Sequence, residues 1–238
     1  MTTSKEAILA RIRAANGGPA AQPERVNGGS AGQPERAEAG TDAAYAALPR
    51  DYLRAHHEPA TADIAGLFAE RAADYRAVVE RVPEPGLAEA IARILGERAA
   101  AGPGPFVVPE GLPPGWLAAL PPAIELADDT PPLSAAELDR MAGVVTGCAV
   151  AIAETGTIIL DHGPGQGRRA LTLVPDFHLV IVRASQVMAD LADAFARLDP
   201  ARPHTLISGP SATSDIELIR VEGVHGPRNL HVLLATRH

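Results

Sequence analysis

The feature that most constrains the fold is an alternation of short apolar runs with helical patterns, which extends from residue 61 to the end of the chain. The run HLVIV at 178–182 is the clearest of these runs, and its aliphatic residues are typical of a strand buried on both faces. The segment 87–101 has helical periodicity and ends at Gly102-Pro103, a pair that stops helices. The alternation predicts an α/β fold with three layers, αβα, in which helices cover both faces of a mainly parallel sheet.

Cap residues and apolar runs place the individual elements. Ser134 and Glu137 form a capping box at the start of one helix, and Thr61 is the expected cap of the first helix of the domain. Helices are predicted at 61–76, 87–101, 113–120, 134–141 and about 185–198. Strands are predicted at 77–82, 106–108, 124–126, 144–153, 157–160, 178–182, 204–207 and 230–234.

The first 60 residues differ in character from the rest of the chain. Residues 4–15 have an amphipathic pattern that predicts a short helix. Residues 16–42 are rich in Gly, Pro, Gln and Ala, repeat the tetrapeptide QPER, and lack the apolar residues that a packed core needs. We therefore expect an N-terminal helix and a mobile linker within residues 1–60, followed by an α/β domain at 61–238.

Charge and the length of the apolar runs exclude several kinds of partner. The chain has 21 Lys and Arg against 29 Asp and Glu, and the resulting formal charge of -8 argues against non-specific binding to nucleic acid. No apolar run reaches the roughly 18 residues of a membrane span, and the first residues lack the apolar core of a signal peptide. We expect a cytoplasmic protein with no membrane span and no nucleic-acid partner.

Cys148 is the only cysteine and Lys5 the only lysine, which restricts the chemistry further. One thiol excludes an internal disulfide, a zinc site built on several thiolates, and a self-contained iron–sulfur cluster, which normally needs four cysteines. A Schiff-base lysine or a P-loop lysine is excluded from the body of the chain. We expect neither a metal nor a resident cofactor.

The segment Glu154-Thr155-Gly156-Thr157 interrupts two apolar strands. A carboxylate at a strand end, beside a glycine turn, is placed to act as a general base or as a covalent nucleophile, so Glu154 is a candidate catalytic residue. Thr155, Gly156 and Thr157 are candidates for substrate contacts. The other interpretation is a simple strand break in which Glu154 is solvated or paired with an arginine.

A second cluster of polar residues follows the strand predicted at 204–207. Its candidate anion-binding residues are Ser208, Gly209, Ser211, Thr213 and Ser214. A glycine loop between a strand and a helix start offers free backbone N–H groups to an anion. Simple capping of a helix by Ser214 and Glu217 is the alternative, and it leaves the other hydroxyl residues unexplained.

Two more loops contain candidate ligand groups. Arg168 and Arg169 follow the glycine-rich segment 163–167, which is either a phosphate-cradling loop or an ordinary surface turn. His225 lies between glycines and is either a catalytic or substrate-facing group or a structural histidine. Because ligands collect beyond the carboxyl ends of parallel strands, we expect the loops at Glu154 and Ser208 to share one rim with Arg169 or His225.

Three long motifs in order resemble those of one known family. They are VTGCAVAIAETGTIIL from residue 145, RRALTLVPDFHLVIVRASQV from residue 168, and ISGPSATSDIELIRVEGVHGPRNLHVLL from residue 207. This stretch is similar to the LUD domain of the lactate utilization protein C (LutC/YkgG) family.

The resemblance implies a fold of the NagB/RpiA/CoA-transferase type and a part in the oxidation of L-lactate to pyruvate. It also implies two iron–sulfur partner proteins, so this chain would be the accessory subunit without a redox centre, which either binds a small carboxylate substrate or organises the iron–sulfur subunits. A second hypothesis is a free-standing enzyme that acts on an acyl-CoA or a sugar phosphate through Glu154, because some CoA transferases of this fold use a glutamate followed closely by glycine.

Overall fold

The computed structural model of the chain describes residue 47, residues 63–210, 212–213 and 221–222, and residues 225–236. The chain divides into two units, Met1–Asp51 and Tyr52–His238, and every element described here belongs to the second. The helix predicted at 4–15 and the linker predicted at 16–42 lie outside the described residues. The domain boundary between residues 60 and 61 stays a prediction.

A six-stranded sheet, in which every neighbouring pair is parallel, forms the centre of the domain. Its strand order is β1-β12-β7-β4-β2-β3. The bounds are Val78–Pro83 for β1, Phe106–Val107 for β2, Leu126–Ala127 for β3, Gly143–Thr146 for β4, Phe177–Arg183 for β7 and Asn229–Thr236 for β12. Strands β4 and β7 are buried along almost their whole length, as strands covered on both faces must be.

Helices cover both faces of this sheet. Helix α2, Leu87–Ala101, buries Leu87, Ile91, Ile94 and Leu95 against one face, which includes Leu179 and Ile181 of β7. Helix α1, Ile64–Asp74, packs Phe68 and Ala72 against the opposite face. The predicted α/β class, with a mainly parallel sheet between helices, is therefore confirmed.

A second sheet of four strands lies over the same face as α1 and was not predicted. Its order is β8-β5-β6-β9, with bounds Val187–Met188, Val150–Ile152, Thr157–Leu160 and Thr205–Ile207. Its residues Ala151, Ile158 and Leu160 share one buried cluster with residues of β7 and β12. In this sheet β6 runs antiparallel to both β5 and β9, so β5 and β9 end on the same side.

The single strand predicted at 144–153 is wrong, because the chain divides it between the two sheets. Strand β4 ends at Thr146 and β5 begins at Val150. Gly147 breaks the ladder by donating its backbone N–H to the Gly165 carbonyl, and Ala149 then pairs with Ile159 of the second sheet. All the residues involved are small or apolar, so hydrophobicity gives no sign of this change of layer.

Several predicted element bounds also need correction. The first helix is capped by Asp63, whose carboxylate accepts from the Gly66 N–H, and not by Thr61.

The helix predicted at 185–198 is replaced by three shorter elements. They are a 3₁₀ turn at Ala184–Gln186, strand β8, and helix α4 at Leu191–Phe195, which is capped by Asp190. Helix 113–120 is a 3₁₀ turn, Pro114–Leu117. Helix α3 is shorter than predicted, Ala135–Leu138, and its capping box between Ser134 and Glu137 is confirmed.

The lone cysteine is part of the core. Cys148 is 6 % exposed, and burial raises the pKa of its thiol to about 12. We expect the folded chain to be inert to Ellman's reagent at about pH 8, since the reactive thiolate is not formed. The chain unfolded in guanidinium chloride is the positive control, and it should release one equivalent of thionitrobenzoate from the reagent. Rapid reaction of the folded chain would contradict the burial of Cys148.

None of the helices in the described part of the chain has the length and apolar character needed to cross a bilayer.

Candidate functional site

A hollow of about 200 Å³ lies where the two sheets meet, and we call it the Arg169 hollow. Residues from the amino ends of β7 and β12, from the whole of β9, and from the loop after β9 line it. Its polar lining side chains are Arg169, Thr172, His178, Thr205, Ser208 and His225. The hollow therefore brings four of the sequence-predicted candidates together, namely Arg169, Ser208, Gly209 and His225.

Arg169 is the cationic group of this hollow. It begins the 3₁₀ turn Arg169–Thr172, and its Nη1 donates to the carbonyl and hydroxyl oxygens of Thr172 at 3.1 and 3.2 Å. Its Nη2 donates to the His225 carbonyl at 3.4 Å. All these acceptors are neutral, and no carboxylate of the described residues forms an ion pair with this side chain. Partial burial lowers the pKa of Arg169, but a guanidinium remains charged. A cation in this setting is suited to bind an anionic ligand.

The neighbouring Arg168 has a structural role. Its Nε and Nη2 donate to the two carboxylate oxygens of Asp129 at 2.6 and 2.9 Å, and Nη2 also donates to the Leu133 carbonyl. The glycine-rich segment before it is fixed by Gln166, whose amide contacts both the backbone and the carboxylate of Asp161. These contacts support the surface-turn interpretation of residues 163–167.

His178 also lines the Arg169 hollow, and it was not among the candidates that the sequence predicts. It is the second residue of β7 and is 1 % exposed, with its Nε2 at 2.7 Å from the Thr146 hydroxyl of β4. Burial, with a smaller contribution from the Arg169 charge, lowers the pKa of His178 to about 3, so the ring is neutral. The only signal in the sequence was a polar residue at the start of an otherwise aliphatic strand.

His178 makes stability depend on pH. In the unfolded chain an imidazole titrates near its ordinary pKa of about 6.5. Between that value and about 3 the unfolded chain binds a proton that the folded chain does not, so the free energy of unfolding falls as the pH falls. From about pH 6.5 to about pH 5 we expect His178 to contribute a loss of about 2 kcal/mol. Urea unfolding at both pH values should show a smaller loss for His178→Asn, and equal losses would contradict this prediction.

The predicted hydroxyl residues form a chain at one edge of the second sheet. The Thr157 hydroxyl lies 2.7 Å from that of Thr155 and 2.8 Å from that of Ser208. The contact forms because Thr157 begins β6 while Ser208 follows the antiparallel β9. The expected proximity of the two loops is thus present for these three residues, although a mixed sheet and not the parallel one creates it.

Gly156 and Gly209 tie these loops to helix α1. Both have left-handed backbone angles, φ 62° and φ 80°. A Cβ atom on Gly156 would meet the backbone of Arg71 and Ala72, and one on Gly209 would meet Tyr75. Close packing against the end of α1 therefore accounts for both glycines.

Glu154 lies apart from the Arg169 hollow. It follows β5 in the turn to β6, its side chain is exposed, and it lines a different, mainly apolar hollow with Asp190, Leu191 and Phe195. Its backbone N–H donates to the Ala189 carbonyl on the β8 side of the sheet, away from β9. Ser211 and Ser214 lie outside the described residues, and Thr213 belongs to the short strand β10, Ala212–Thr213, which pairs with β11, Val221–Glu222.

Comparison with known proteins decides the family. A family model described as LUD domain matches residues 136–235. A lactate utilization protein C from Deinococcus radiodurans is 49 % identical over 177 residues, which are 73 % of this chain and 80 % of that protein. The chain belongs to the lactate utilization protein C family. The resemblance predicted from the three motifs is confirmed, and the similarity extends well beyond them.

Further proteins and one solved structure are also similar to this chain. A lactate utilization protein C from Shouchella clausii is 32 % identical over 114 residues, 44 % of this chain and 49 % of that protein. The uncharacterized protein YkgG of Escherichia coli is 40 % identical over 84 residues, 32 % of this chain and 36 % of YkgG. The crystal structure of a DUF162 family protein from Deinococcus radiodurans matches with a TM-score of 0.59 and 40 % identity, covering 73 % of this chain and 96 % of that one.

Proposed function

We propose that this chain acts in lactate utilization as the non-iron–sulfur subunit of a system that oxidises L-lactate to pyruvate. Two iron–sulfur proteins are its proposed partners, and the Arg169 hollow is its proposed binding site for a small carboxylate. The names of the related lactate utilization proteins C support the lactate-utilization role. The single cysteine supports placing the clusters in the partners, because one thiol cannot hold such a cluster alone.

The site proposal depends on one observation, namely that the Arg169 guanidinium has no acidic partner among the described residues. Its guanidinium lines a small hollow and has only neutral acceptors among the described residues. A ligand carboxylate would supply the missing negative charge through two charge-assisted hydrogen bonds. The Ser208 and Thr205 hydroxyls on the facing β9 side provide further polar contacts, and the volume of about 200 Å³ suits a ligand of the size of lactate or pyruvate.

The described residues do not favour the alternative of a free-standing acyl-CoA or sugar-phosphate enzyme. That hypothesis needs Glu154 beside an anion site, whereas Glu154 lines a separate and mainly apolar hollow. Thr155, the residue after it, connects to Ser208 through Thr157, so the two loops touch without bringing the carboxylate to Arg169.

Affinity capture from lactate-grown cells tests the proposed function. The full chain, tagged and expressed in its native host, should capture two iron–sulfur proteins and an activity that oxidises L-lactate. A parallel capture with Arg169→Gln should retain the partners and lose most of the oxidation, because the substitution removes a ligand contact and no described ion pair. Capture without iron–sulfur proteins, or turnover of an acyl-CoA by the isolated chain, would contradict the proposal.

A further inference from the structure

A hydrogen bond between His162 and Thr205 joins the Arg169 hollow to a second hollow behind it. Thr205 lines the Arg169 hollow, while His162 lines the other together with Gly167 and Arg168. The His162 Nε2 lies 3.0 Å from the Thr205 hydroxyl oxygen. Neither residue was a candidate in the sequence.

The partners of the His162 ring determine where its proton lies. Its Nδ1 is 2.9 Å from the Gly167 carbonyl oxygen, which can only accept a hydrogen bond. Nδ1 must therefore carry the hydrogen, and in the neutral ring Nε2 is left as an acceptor. His162 holds this position with a left-handed backbone, φ 57°, an angle that is unfavourable for a residue other than glycine.

The tautomer of His162 in turn fixes the hydroxyl of Thr205. Because Nε2 accepts, the Thr205 hydroxyl must donate its single hydrogen to the ring. Thr205 is then able to present only oxygen lone pairs to the Arg169 hollow. A ligand hydroxyl at this position donates to those lone pairs, whereas a ligand carbonyl oxygen would face them without a hydrogen.

We propose that Thr205, held by His162, is a specificity-determining residue that selects a 2-hydroxy acid over the corresponding 2-oxo acid. The inference rests on the proposed function, since it takes the Arg169 hollow as the carboxylate site. Arg169 would hold the carboxylate of both acids equally, so discrimination between them falls on the oxygen at the second carbon. A site built in this way binds the substrate of the oxidation more tightly than its product.

Calorimetric titration of the full chain with L-lactate and with pyruvate at about pH 8 tests the inference. The wild-type chain should bind L-lactate about fivefold or more tightly, the value of one neutral hydrogen bond. Thr205→Val keeps the size and the β-branch but removes the hydroxyl, so the two affinities should become equal. Thr205→Ser is the matched control and should keep the wild-type preference.

A substitution of the histidine separates its role from that of the hydroxyl. His162→Asn is chosen because asparagine tolerates a left-handed backbone better than most residues. It removes the ring acceptor and frees the Thr205 hydrogen to point into the hollow, so the preference for lactate should fall several-fold while binding of pyruvate persists. Circular dichroism confirms that each variant is folded before it is titrated.

The outcomes separate this inference from the proposed function. Equal binding of the two acids by the wild-type chain, or an unchanged preference in Thr205→Val, would overturn the role of Thr205 and leave the carboxylate site standing. Absence of binding of either acid would overturn the proposed carboxylate site, and the inference with it.

Discussion

Arg169→Gln is expected to weaken the binding of L-lactate and pyruvate to the full chain by about 10- to 100-fold. The estimate follows from hydrogen bonds to a charged group, which contribute about 1.5–3 kcal/mol, with the lower end appropriate to a side chain that remains partly open to solvent. Glutamine retains an N–H donor but is shorter than arginine and removes the charge. The fold should be unaffected, because the guanidinium has only neutral partners among the described residues. Calorimetric titration gives both affinities directly.

The adjacent arginine provides the matched control. Arg168→Gln removes the ion pair with Asp129, so its melting temperature should fall while the affinity for both acids stays within about twofold of wild type. We therefore expect Arg169→Gln to lose affinity and keep its stability, and Arg168→Gln to lose stability and keep its affinity. Loss of binding in Arg168→Gln together with normal binding in Arg169→Gln would contradict the proposed site, because the carboxylate would then bind in the hollow beside Arg168.

Gly156→Ala is expected to destabilise the chain by about 3 kcal/mol or more. The left-handed backbone, φ 62°, costs an alanine about 1–2 kcal/mol. The added Cβ would also lie 2.6 Å from the Arg71 carbonyl carbon, and closer still to the backbone nitrogen of Ala72, so α1 would have to move. Urea unfolding of the variant and the wild-type chain measures the change.

Gly96 in helix α2 is the control for this substitution. Apart from its chain neighbours and the backbone of its own helix, a Cβ at Gly96 would meet no atom within 4 Å, and the residue lies inside a regular helix. Gly96→Ala should therefore stabilise the chain by up to about 1 kcal/mol through the higher helix propensity of alanine. Equal stabilities of Gly156→Ala and wild type would show that the loop does not pack on α1 in solution.

The class of the fold was predictable from the sequence because its central strands are long aliphatic runs. Strand β7 and helix α2 have the residue patterns of a buried strand and of an amphipathic helix, and they lie almost where the patterns place them. The second sheet was not predictable in the same way. Its strands have two to four residues each, and the change of sheet at Gly147 occurs inside one apolar run.

The candidate site was predictable in part. Arg169, Ser208 and His225 were identified by residue type and loop position, and they line one hollow. His178, His162 and Thr205 were missed because each depends on a contact with a residue far away in the sequence. His178 contacts Thr146, which lies 32 positions away, and His162 contacts Thr205, which lies 43 positions away. Hydrogen-bond partners at such distances depend on strand register, which a single sequence does not reveal.

The rule that ligands bind beyond the carboxyl ends of parallel strands did not predict the position of the Arg169 hollow. Glu154 and Ser208 do follow strand ends, but those strands, β5 and β9, belong to the mixed sheet. The Arg169 hollow lies at the amino ends of the parallel strands β7 and β12, since His178 and Leu230 are each the second residue of their strand. The second sheet, by stacking on the first, creates a cleft that the rule for one open sheet does not include.

The most direct test of the central claim is a crystal structure of the full chain with L-lactate bound. We expect the lactate carboxylate within about 3 Å of the Arg169 guanidinium, with its hydroxyl directed at Thr205. Lactate bound beside Arg168 or beside Glu154, with the Arg169 hollow unoccupied, would contradict the account.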